Sequence, residues 1–518
     1  MPEGLLPESG CPRPLAALEI GSLPLSARIL AGAARDGRPV QLHPEALMRI
    51  RTAHESLTTA AASGARIYGV STGLGAVADT SLPPDQPDFQ CRIVLERAVG
   101  VGTLARDDQV RAIMLARLAG FCVGNSGASP GLAVAYADLL NAGIHPIVPL
   151  TGSLGEADLA PLAHVASVLL GAGEVRRGGI TVSGADALAS AGLAVPRLGL
   201  KDGLALVSSN AASAGLGALV VADAERLVAA LVASASLSFE AQRAGLSGLL
   251  PGITSLHPVP GQAGIAAAML GLLGNGDLTG PDGARLLHDP LSFRCTAPVL
   301  GAAAAAVRAA TAAVELELNH SDDNPAVLGT RVVPTASFDV THLTLAFESL
   351  GLALARVAAL TGARIVKLMS ASTTGLPRFL TPPASRGGSG LAPLQKTVAA
   401  LVAEIQHAAM PMPAWVLPVA DGIEDYATMA VPVVEKTAFI VRQLRLLAAA
   451  ELLTSAQAVD LREGVRLGGG TGSVHETVRS LVASPGTDRA LSADLQALDI
   501  LAGSDRFDGI RAQLFETA

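Results

Sequence analysis

Two glycine-flanked segments of the sequence carry side chains that can move a proton or hold a charge. Residues 68–75 read YGVSTGLG, and the flanking glycines indicate a loop that exposes the Tyr68 hydroxyl. A phenolate can act as a general base, but phenols ordinarily ionise at a pH of about 10, so this use requires nearby cations. Residues 152–164 read GSLGEADLAPLAH. Here Glu156 is explained either as the cap of a helix starting near Asp158 or as a contact for a cation.

Three further segments supply charged side chains suited to substrate binding. Residues 288–295 read HDPLSFRC, and the planar guanidinium of Arg294 matches a carboxylate in a two-bond fork. Residues 424–429 read EDYATM and begin with the carboxylate of Glu424. In residues 391–409, Lys396 lies opposite an apolar stripe, on a face of small residues. That face indicates either an ammonium in a cleft or a lysine whose stem covers apolar surface.

The composition indicates a mainly α-helical globular protein. Of 518 residues, 50% are hydrophobic and 3% aromatic, and the apolar share is mostly Ala, Leu and Val. Long Ala/Leu-rich stretches predict helices that form a bundle, at 216–237, 301–318, 343–368 and 391–409. We expect an N-terminal extension over 1–30, an N-terminal domain with the Tyr68 and Glu156 loops over 31–215, and a long helical bundle domain over 216–518.

Charge and patterning exclude several classes of protein. The formal net charge of -8 leaves no basic surface for nucleic acid. The first residues lack the basic and apolar regions of a signal peptide, and the longest uncharged run, 204–222, is broken by serines and an asparagine. We therefore expect no membrane span and a cytoplasmic location. The four cysteines show no metal-ligand spacing, so no metal is expected. Residues 468–473, GGGTGS, lack the lysine of a phosphate loop and predict a turn.

The ordered set of these motifs resembles the histidine and phenylalanine ammonia-lyases, from about residue 40 to the C-terminus. Residues 317–325, ELNHSDDNP, complete the set. The resemblance implies the mainly α fold of the aromatic amino acid lyases with its long central helical bundle. It further implies a homotetramer whose active sites are assembled from several subunits. In that family the counterpart of Tyr68 is the base and the counterpart of Arg294 grips the substrate carboxylate.

The sequence departs from this family where the family forms its electrophile. The family motif GSxGASGDLAPLAH contains an Ala-Ser-Gly that cyclises to a methylidene-imidazolone. Here Gly155 is followed by Glu156, Ala157 and Asp158, so one residue is missing and no Ser-Gly pair is available. An Ala-Ser-Gly at 62–64 precedes the Tyr68 loop, which is the wrong position, and predicts a helix-ending turn. No cofactor is therefore expected.

Other positions of the family's site change in step. Ser208 replaces the asparagine that supports the electrophile, and Arg97 replaces a histidine. Arg97 is interpreted either as a substrate contact or as half of a structural ion pair with the preceding Glu96. The family segment GNFHG reads ASFDV here, over residues 336–340, and keeps Phe338.

A site without the electrophile can still eliminate an amine if the leaving group arrives activated. A quaternary ammonium is permanently cationic and leaves as a neutral tertiary amine. Electrophile-free members of this superfamily release trimethylamine from ergothioneine, a histidine betaine, and form thiourocanate. The resemblance implies this small-molecule substrate. Hercynine or another betaine, a histidine-type ammonia-lyase activity and a non-catalytic homologue stay open as alternatives.

We expect the remaining site residues to surround this substrate. Glu156 attracts the trimethylammonium by its charge, and Phe338 packs on the methyl groups. Lys396 and Glu424 bracket the thioimidazole ring, with the ammonium toward sulfur and the carboxylate toward a ring N–H, which acidifies the β-carbon. The other substrate-binding residues are Arg97 and Ser208.

Overall fold

The computed structural model describes residues 15–83, 86, 88–177, 179–385, 387–413, 417–484 and 489–516, which form two compact units. Unit 1 contains the described residues of 1–215, 317–339 and 420–423, and unit 2 those of 216–316, 340–419 and 424–518. Of the predicted extension 1–30, residues 1–14 lie outside the described residues. A strand begins at Leu18 and a helix at Ala27, so the rest of that segment contains regular structure.

Unit 1 combines helices of moderate length with short strands. Its helices are α1 (Ala27–Arg35), α2 (Pro44–Ala62), α3 (Phe89–Arg97), α4 (Asp107–Val123), α5 (Pro130–Asn141), α6 (Leu159–Leu169), α7 (Gly184–Ser190) and α8 (Asp202–Val207). Its strands are β1 (Leu18–Ile20), β2 (Val40–Leu42), β3 (Val101–Leu104), β4 (His145–Pro146), β5 (Pro149–Thr151), β6 (Glu174–Arg177), β7 (Ile180–Ser183), β8 (Ala326–Leu328) and β9 (Arg331–Val333). β1 and β2 are parallel, whereas β3–β5, β4–β6, β6–β7 and β8–β9 are antiparallel pairs.

Helix α4 forms the centre of unit 1. Every residue from Gln109 to Cys122 is buried, and α4 packs against α1, α2 and α5. A helix buried on all sides needs apolar residues all round, and its few polar side chains need partners. Arg117 of α4 is fully buried and finds those partners in the carboxylates of Asp322 and Asp323.

Unit 2 consists mainly of long helices. Its helices are α9 (Ala211–Gln242), α10 (Pro251–Thr254), α11 (Gln262–Leu273), α12 (Leu291–Arg294), α13 (Thr296–Asn319), α14 (Thr341–Leu368), α15 (Ala371–Thr374), α16 (Leu394–Ala408), α17 (Ala430–Asp460), α18 (Gly469–Leu481), α19 (Ser492–Gly503) and α20 (Asp508–Phe515). The first residues of α9 and the last residues of α13 belong to unit 1. The four long helices that the sequence predicts are confirmed as α9, α13, α14 and α16.

Small residues let the long helices of unit 2 approach closely. A Cβ on Gly217 of α9 would lie 2.9 Å from Val314 of α13, and a Cβ on Gly362 of α14 would lie 2.8 Å from Val402 of α16. Helix α17 packs along α14, α16 and α19. The abundance of alanine and glycine therefore reflects tight helix packing, in which few aromatic side chains would fit.

Helices α13 and α14 are long and apolar enough to cross a membrane by length and composition alone. Within the chain, 44% and 50% of their most apolar windows are buried. Core helices of soluble proteins pass the same test, so these two helices do not indicate a membrane protein by themselves.

The predicted turn at residues 468–473 is wrong, because Gly469 begins α18. Gly468 N and Thr471 Oγ1 both donate hydrogen bonds of 2.8 Å to Oε1 of Glu240. A Cβ on Gly470 would lie only 2.6 Å from Cα of Leu272. The glycines thus allow α18 to lie against α11 rather than reversing the chain.

A buried ion pair links four helices of unit 2. Both oxygens of Glu451 on α17 accept hydrogen bonds from Arg364 on α14, and both residues are fully buried. Ser234 and Ser238 of α9 donate to the same carboxylate at 2.7 and 2.8 Å. Nη1 of Arg364 also donates to the carbonyl oxygen of Ser292 at 3.0 Å, in helix α12. Because every partner is buried, the pair fixes how these helices pack.

We expect Arg364→Met to destabilise the protein by about 3–5 kcal/mol, because it leaves the Glu451 carboxylate buried without its cation. The double variant Arg364→Met with Glu451→Leu should recover most of that loss, since no uncompensated charge remains. Thermal unfolding of the purified proteins measures both effects. A single variant as stable as the unmodified protein would contradict this account of the pair.

Candidate active site

The Tyr68 loop is held against helix α8 within unit 1. The phenol oxygen of Tyr68 accepts a hydrogen bond of 3.0 Å from the backbone N–H of Gly75, and the side chain is half-buried. Nε2 of Gln90 donates to the carbonyl oxygen of Gly69, while Oε1 of Gln90 accepts from the N–H of Leu204. A Cβ at Gly69 would clash with Leu204 at 2.5 Å, so the glycine allows this close approach. The loop thus places the Tyr68 hydroxyl beside a backbone hydrogen-bond donor, with its position fixed against α8.

Asp158 anchors the loop that precedes α6. Its carboxylate is fully buried and accepts hydrogen bonds from Ser153 Oγ at 2.7 Å and from Ser213 N and Oγ at 2.7 and 2.9 Å. Its own N–H donates to the carbonyl oxygen of Ser209 at 2.7 Å. Burial raises the pKa of Asp158, although these hydrogen bonds act in the opposite direction. Asp158 stands at the N-terminus of α6, but its side chain bonds to neighbouring serines rather than capping the helix.

Glu156 projects from this loop beside Asp339. The two residues form an isolated antiparallel bridge, and Phe338 directly precedes Asp339. Ala157 has a φ of +58°, a left-handed conformation that alanine rarely adopts. The turn therefore brings two carboxylate-bearing residues together, and Asp158 stands at the N-cap position of α6.

A further carboxyl group, that of Glu317, belongs to the same acidic surroundings. Nδ2 of Asn210 donates to Oε2 of Glu317 at 3.0 Å, and Asn210 N and Ser209 Oγ both donate to Asp322. Burial raises the pKa of Glu317 to about 7; the hydrogen bond from Asn210 lowers it, whereas the charges of Asp322, Asp158 and Asp339 raise it further. Burial, with a smaller contribution from the neighbouring carboxylates, therefore favours the protonated form of Glu317 near neutral pH.

Arg97 and Ser208 lie at the ends of two helices that pack together. Arg97 is the last residue of α3, and Ser208 follows α8; α3 packs against both α8 and α6. Arg97 Nη1 donates to the carbonyl oxygen of Ile93 at 3.1 Å. Glu96 is exposed, and no ion pair joins it to Arg97 among the described side chains. The structure thus brings the Tyr68 loop, Glu156, Arg97, Ser208 and Phe338 into one unit.

The other three predicted site residues belong to unit 2. Arg294 is exposed at the end of α12, the helix held by the contact between Arg364 and Ser292. Lys396 is exposed in the first turn of α16, and the apolar stripe predicted on the opposite face is buried. Glu424 is half-buried and pairs with Val419 in an antiparallel bridge. Lys396 is therefore accessible at the surface of unit 2, on the face of α16 opposite the buried stripe.

The residues at 153–158 do not fit the methylidene-imidazolone of the ammonia-lyases. That group forms from a Ser-Gly pair, whereas the loop offers Gly155, Glu156 and Ala157, and the backbone at Glu156 is engaged with Asp339. The Ala-Ser-Gly at 62–64 ends α2, with Gly64 at a φ of +81°, as the sequence predicts for a helix-ending turn. The described residues contain no grouping of His, Cys, Asp and Glu suited to a metal ion.

Asp339, Glu317 and Asn210 are the polar residues that sequence reasoning missed. Asp339 carries a readable signal, because it places a carboxylate where the related motif has a histidine. Its contact with Glu156 joins two residues that lie far apart in the sequence and is fixed only by the fold. Glu317 and Asn210 give no local sign of their interaction, since their side chains meet across more than a hundred residues.

Three comparisons with known proteins agree on one family. The aromatic amino acid lyase family model matches residues 25–480. A histidine ammonia-lyase from Treponema denticola is 35% identical over 486 residues, covering 92% of this chain and 95% of that protein. Ergothionase from Treponema denticola, solved with desmethyl-ergothioneine sulfonic acid, has a TM-score of 0.89 at 30% identity and covers 95% of this chain and 99% of its own. Phenylalanine aminomutase from Pantoea agglomerans has a TM-score of 0.90 at 29% identity, covering 94% and 99%.

We expect Glu317→Gln to stabilise the protein above neutral pH. The folded-state pKa of Glu317 lies near 7, above its ordinary value of 4.5, so the folded protein favours the protonated form. The stability that this proton supports is present at low pH and is lost as the pH rises from about 4.5 through about 7. The variant should therefore be more stable than the unmodified protein at pH ~8, by on the order of 1–3 kcal/mol, and about as stable as the unmodified protein at pH ~5.

The exposed Glu55→Gln on α2 is the matched control and should change neither melting temperature. Equal stabilisation of Glu317→Gln at both pH values would show that Glu317 is not the titrating group.

Proposed function

Since the chain belongs to the aromatic amino acid lyase family, we propose that it eliminates trimethylamine from ergothioneine to give thiourocanate, without a methylidene-imidazolone. The observation that carries this proposal is the pairing of Glu156 with Asp339. These residues replace the electrophile-forming segment and a histidine of the related motifs with two carboxylates. Such a site suits a substrate whose nitrogen is already a cation. The similarity to ergothionase supports the same substrate class.

In the proposed reaction Tyr68 is the general base. The phenolate oxygen takes the proton from the β-carbon of the substrate, and the electrons of that C–H bond form the double bond between the β- and α-carbons. The electron pair of the C–N bond leaves with trimethylamine, which departs as a neutral amine. The N–H of Gly75, 3.0 Å from the phenol oxygen, stabilises the phenolate before the proton is taken.

Glu156 and Asp339 bind the trimethylammonium in this proposal. Neither carboxylate needs to donate or accept a proton, because a quaternary ammonium has no N–H. The half-buried ring of Phe338 packs on the methyl groups, where a cation is favoured over the face of an aromatic ring. Ser208, buried next to the Asp158 network, lines the same part of unit 1.

The remaining residues hold the other two ends of the substrate. Arg294 binds the carboxylate in a two-bond fork. Lys396 faces the sulfur and Glu424 a ring N–H, which draws electron density into the ring and makes the β-proton more acidic. Arg97 contacts the ring or the carboxylate. We further propose a cytoplasmic homotetramer with active sites shared between subunits, a state supported by the incompletely buried apolar faces of α13 and α14.

A histidine ammonia-lyase is the second candidate, and the names of the most similar curated relatives favour it. That activity requires the cyclised electrophile, which forms with loss of two waters. The intact mass of the purified chain separates the candidates: a mass lower than the sequence by two waters would support the ammonia-lyase. The full mass, with release of ammonia from histidine undetectable, would support the trimethylamine-lyase. Hercynine in parallel with ergothioneine tests whether the sulfur is needed.

We expect the purified protein to convert ergothioneine, with trimethylamine and the conjugated thiourocanate chromophore appearing together. Tyr68→Phe should lower kcat by about 10²–10⁴-fold, because the general base is lost, while ergothioneine still binds. Tyr136→Phe is the matched control, since Tyr136 is buried against Phe121 and its hydroxyl has no partner among the described residues. Full activity of Tyr68→Phe would remove Tyr68 as the base, and a folded protein that turns over no betaine would refute the proposed function.

We expect Glu156→Gln and Asp339→Asn to raise KM for ergothioneine by roughly tenfold each, equivalent to about 1.4 kcal/mol, without lowering kcat. An ergothioneine analogue with a tert-butyl group in place of trimethylammonium provides a competitor of the same shape that lacks the cation. The unmodified protein should prefer the cation, and both variants should lose that preference. Glu55→Gln should keep it. An unchanged preference in both variants would show that these carboxylates do not contact the ammonium.

A further inference from the structure

Three arginines of unit 2 come together on backbone segments that bond to one another. Arg243 follows α9, Arg285 lies in the loop before α12, and Arg462 follows α17. The N–H of Arg285 donates to the carbonyl oxygen of Arg243 at 2.9 Å. Nε of Arg462 donates to the carbonyl oxygen of Ala241 at 2.6 Å, two residues before Arg243. These hydrogen bonds therefore fix the backbone segments from which the three arginine side chains extend.

Among the described residues, the guanidinium groups of Arg243 and Arg462 bond to neutral backbone oxygens. Arg243 donates to the carbonyl oxygens of Gly283 and Asp282, and Arg462 donates to those of Ala241 and Thr374. Within the described part of the chain, none of the three arginines forms an ion pair. Three like charges thus share one region without a counter-charge, which is unfavourable unless an anion joins them.

Arg285 carries the clearest sign of a missing partner. Its Nε and Nη2 atoms are buried and have no hydrogen-bond acceptor among the described residues. A buried donor without an acceptor costs on the order of 1–3 kcal/mol, and Nε with Nη2 is the pair that an oxyanion accepts in a two-bond fork. The nearby carboxylate of Asp289 is already engaged, since it accepts from Gly245 N at 2.7 Å and from Gln242.

The mutual repulsion is visible in Arg462. Burial, and then the charges of Arg285 and Arg243, lower the pKa of Arg462 to about 10. An arginine with an adjacent carboxylate shows the opposite: the hydrogen bond to Asp499 is the main cause of the raised pKa of Arg445. The contrast shows that the cluster has its positive charges in place and lacks the negative one.

We propose that Arg243, Arg285 and Arg462 form a binding site for a small oxyanion, either phosphate or a carboxylate. The anion accepts the fork of Arg285 Nε and Nη2, and its charge offsets the repulsion among the three guanidinium groups. It would also order the loop over residues 282–289, which leads directly into the segment that carries Arg294. The proposal does not depend on the substrate of the enzyme.

Calorimetric titration of the full-length protein with inorganic phosphate and, separately, with succinate tests this site. We expect saturable binding of one ion per chain and a rise in melting temperature, with sodium chloride at equal ionic strength giving neither. Tighter binding of phosphate identifies phosphate as the ligand type, and tighter binding of succinate identifies a carboxylate. Arg285→Gln should weaken the binding at least tenfold. Arg356→Gln, which removes an exposed arginine of α14, should leave it unchanged.

Several results would overturn the proposal. Equal anion affinity in Arg285→Gln and the unmodified protein would show that the cluster is not the site. Absence of saturable binding in the unmodified protein would do the same without any variant, which keeps the test valid if Arg285→Gln does not fold. Dissociation of the oligomer by Arg285→Gln, with no anion bound by the unmodified protein, would show that a carboxylate of another subunit fills the cluster.

Discussion

The burial of the Asp158 carboxylate is the constraint on which the candidate site depends. Removing a carboxylate from water costs several kcal/mol unless hydrogen bonds replace the water. Ser153 and Ser213 supply those bonds from opposite sides, so the loop before α6 and the start of α9 cannot separate without exposing an unpartnered charge. The left-handed backbone at Ala157 is a further cost that these contacts outweigh. Glu156 owes its position beside Asp339 to this arrangement.

A second buried network continues this constraint through unit 1. Asp322 accepts from Ser209 and Asn210 and pairs with Arg117, and Asp323 pairs with Arg117 and Lys201. Two cations thus face two carboxylates in the core of unit 1, and the hydrogen bonds from Ser209 and Asn210 complete the surroundings of Asp322.

The sequence predicts the long helices well because their signal is local: runs of alanine and leucine, with apolar stripes at helical spacing, as in α16. It fails at residues 468–473, because the reason for those glycines is contact with Leu272, almost two hundred residues away. The same limit applies to the site. Motif order identifies Tyr68, Glu156 and Phe338, and the fold places them in unit 1, but only tertiary contact reveals Asp339 as the neighbour of Glu156. Likewise, the sequence of α16 does not show whether Lys396 is exposed, because exposure depends on how other elements pack against that helix.

The charge of the site also constrains how catalysis can arise. A carboxylate beside the trimethylammonium stabilises the substrate more than the transition state, because the positive charge on nitrogen declines as the C–N bond breaks. In the proposed reaction Glu156 and Asp339 therefore supply binding and specificity, but they oppose the elimination step in proportion to their attraction. The exposure of Asp339 limits its share of that attraction, since water screens an exposed charge. In the proposed reaction the elimination is then accelerated at the other end of the substrate. Tyr68 takes the β-proton there, and the ring withdraws electrons from the β-carbon. Both effects grow as the β-proton leaves. A loop that has lost its electrophile is thus compatible with a lyase provided that the substrate brings its own leaving group.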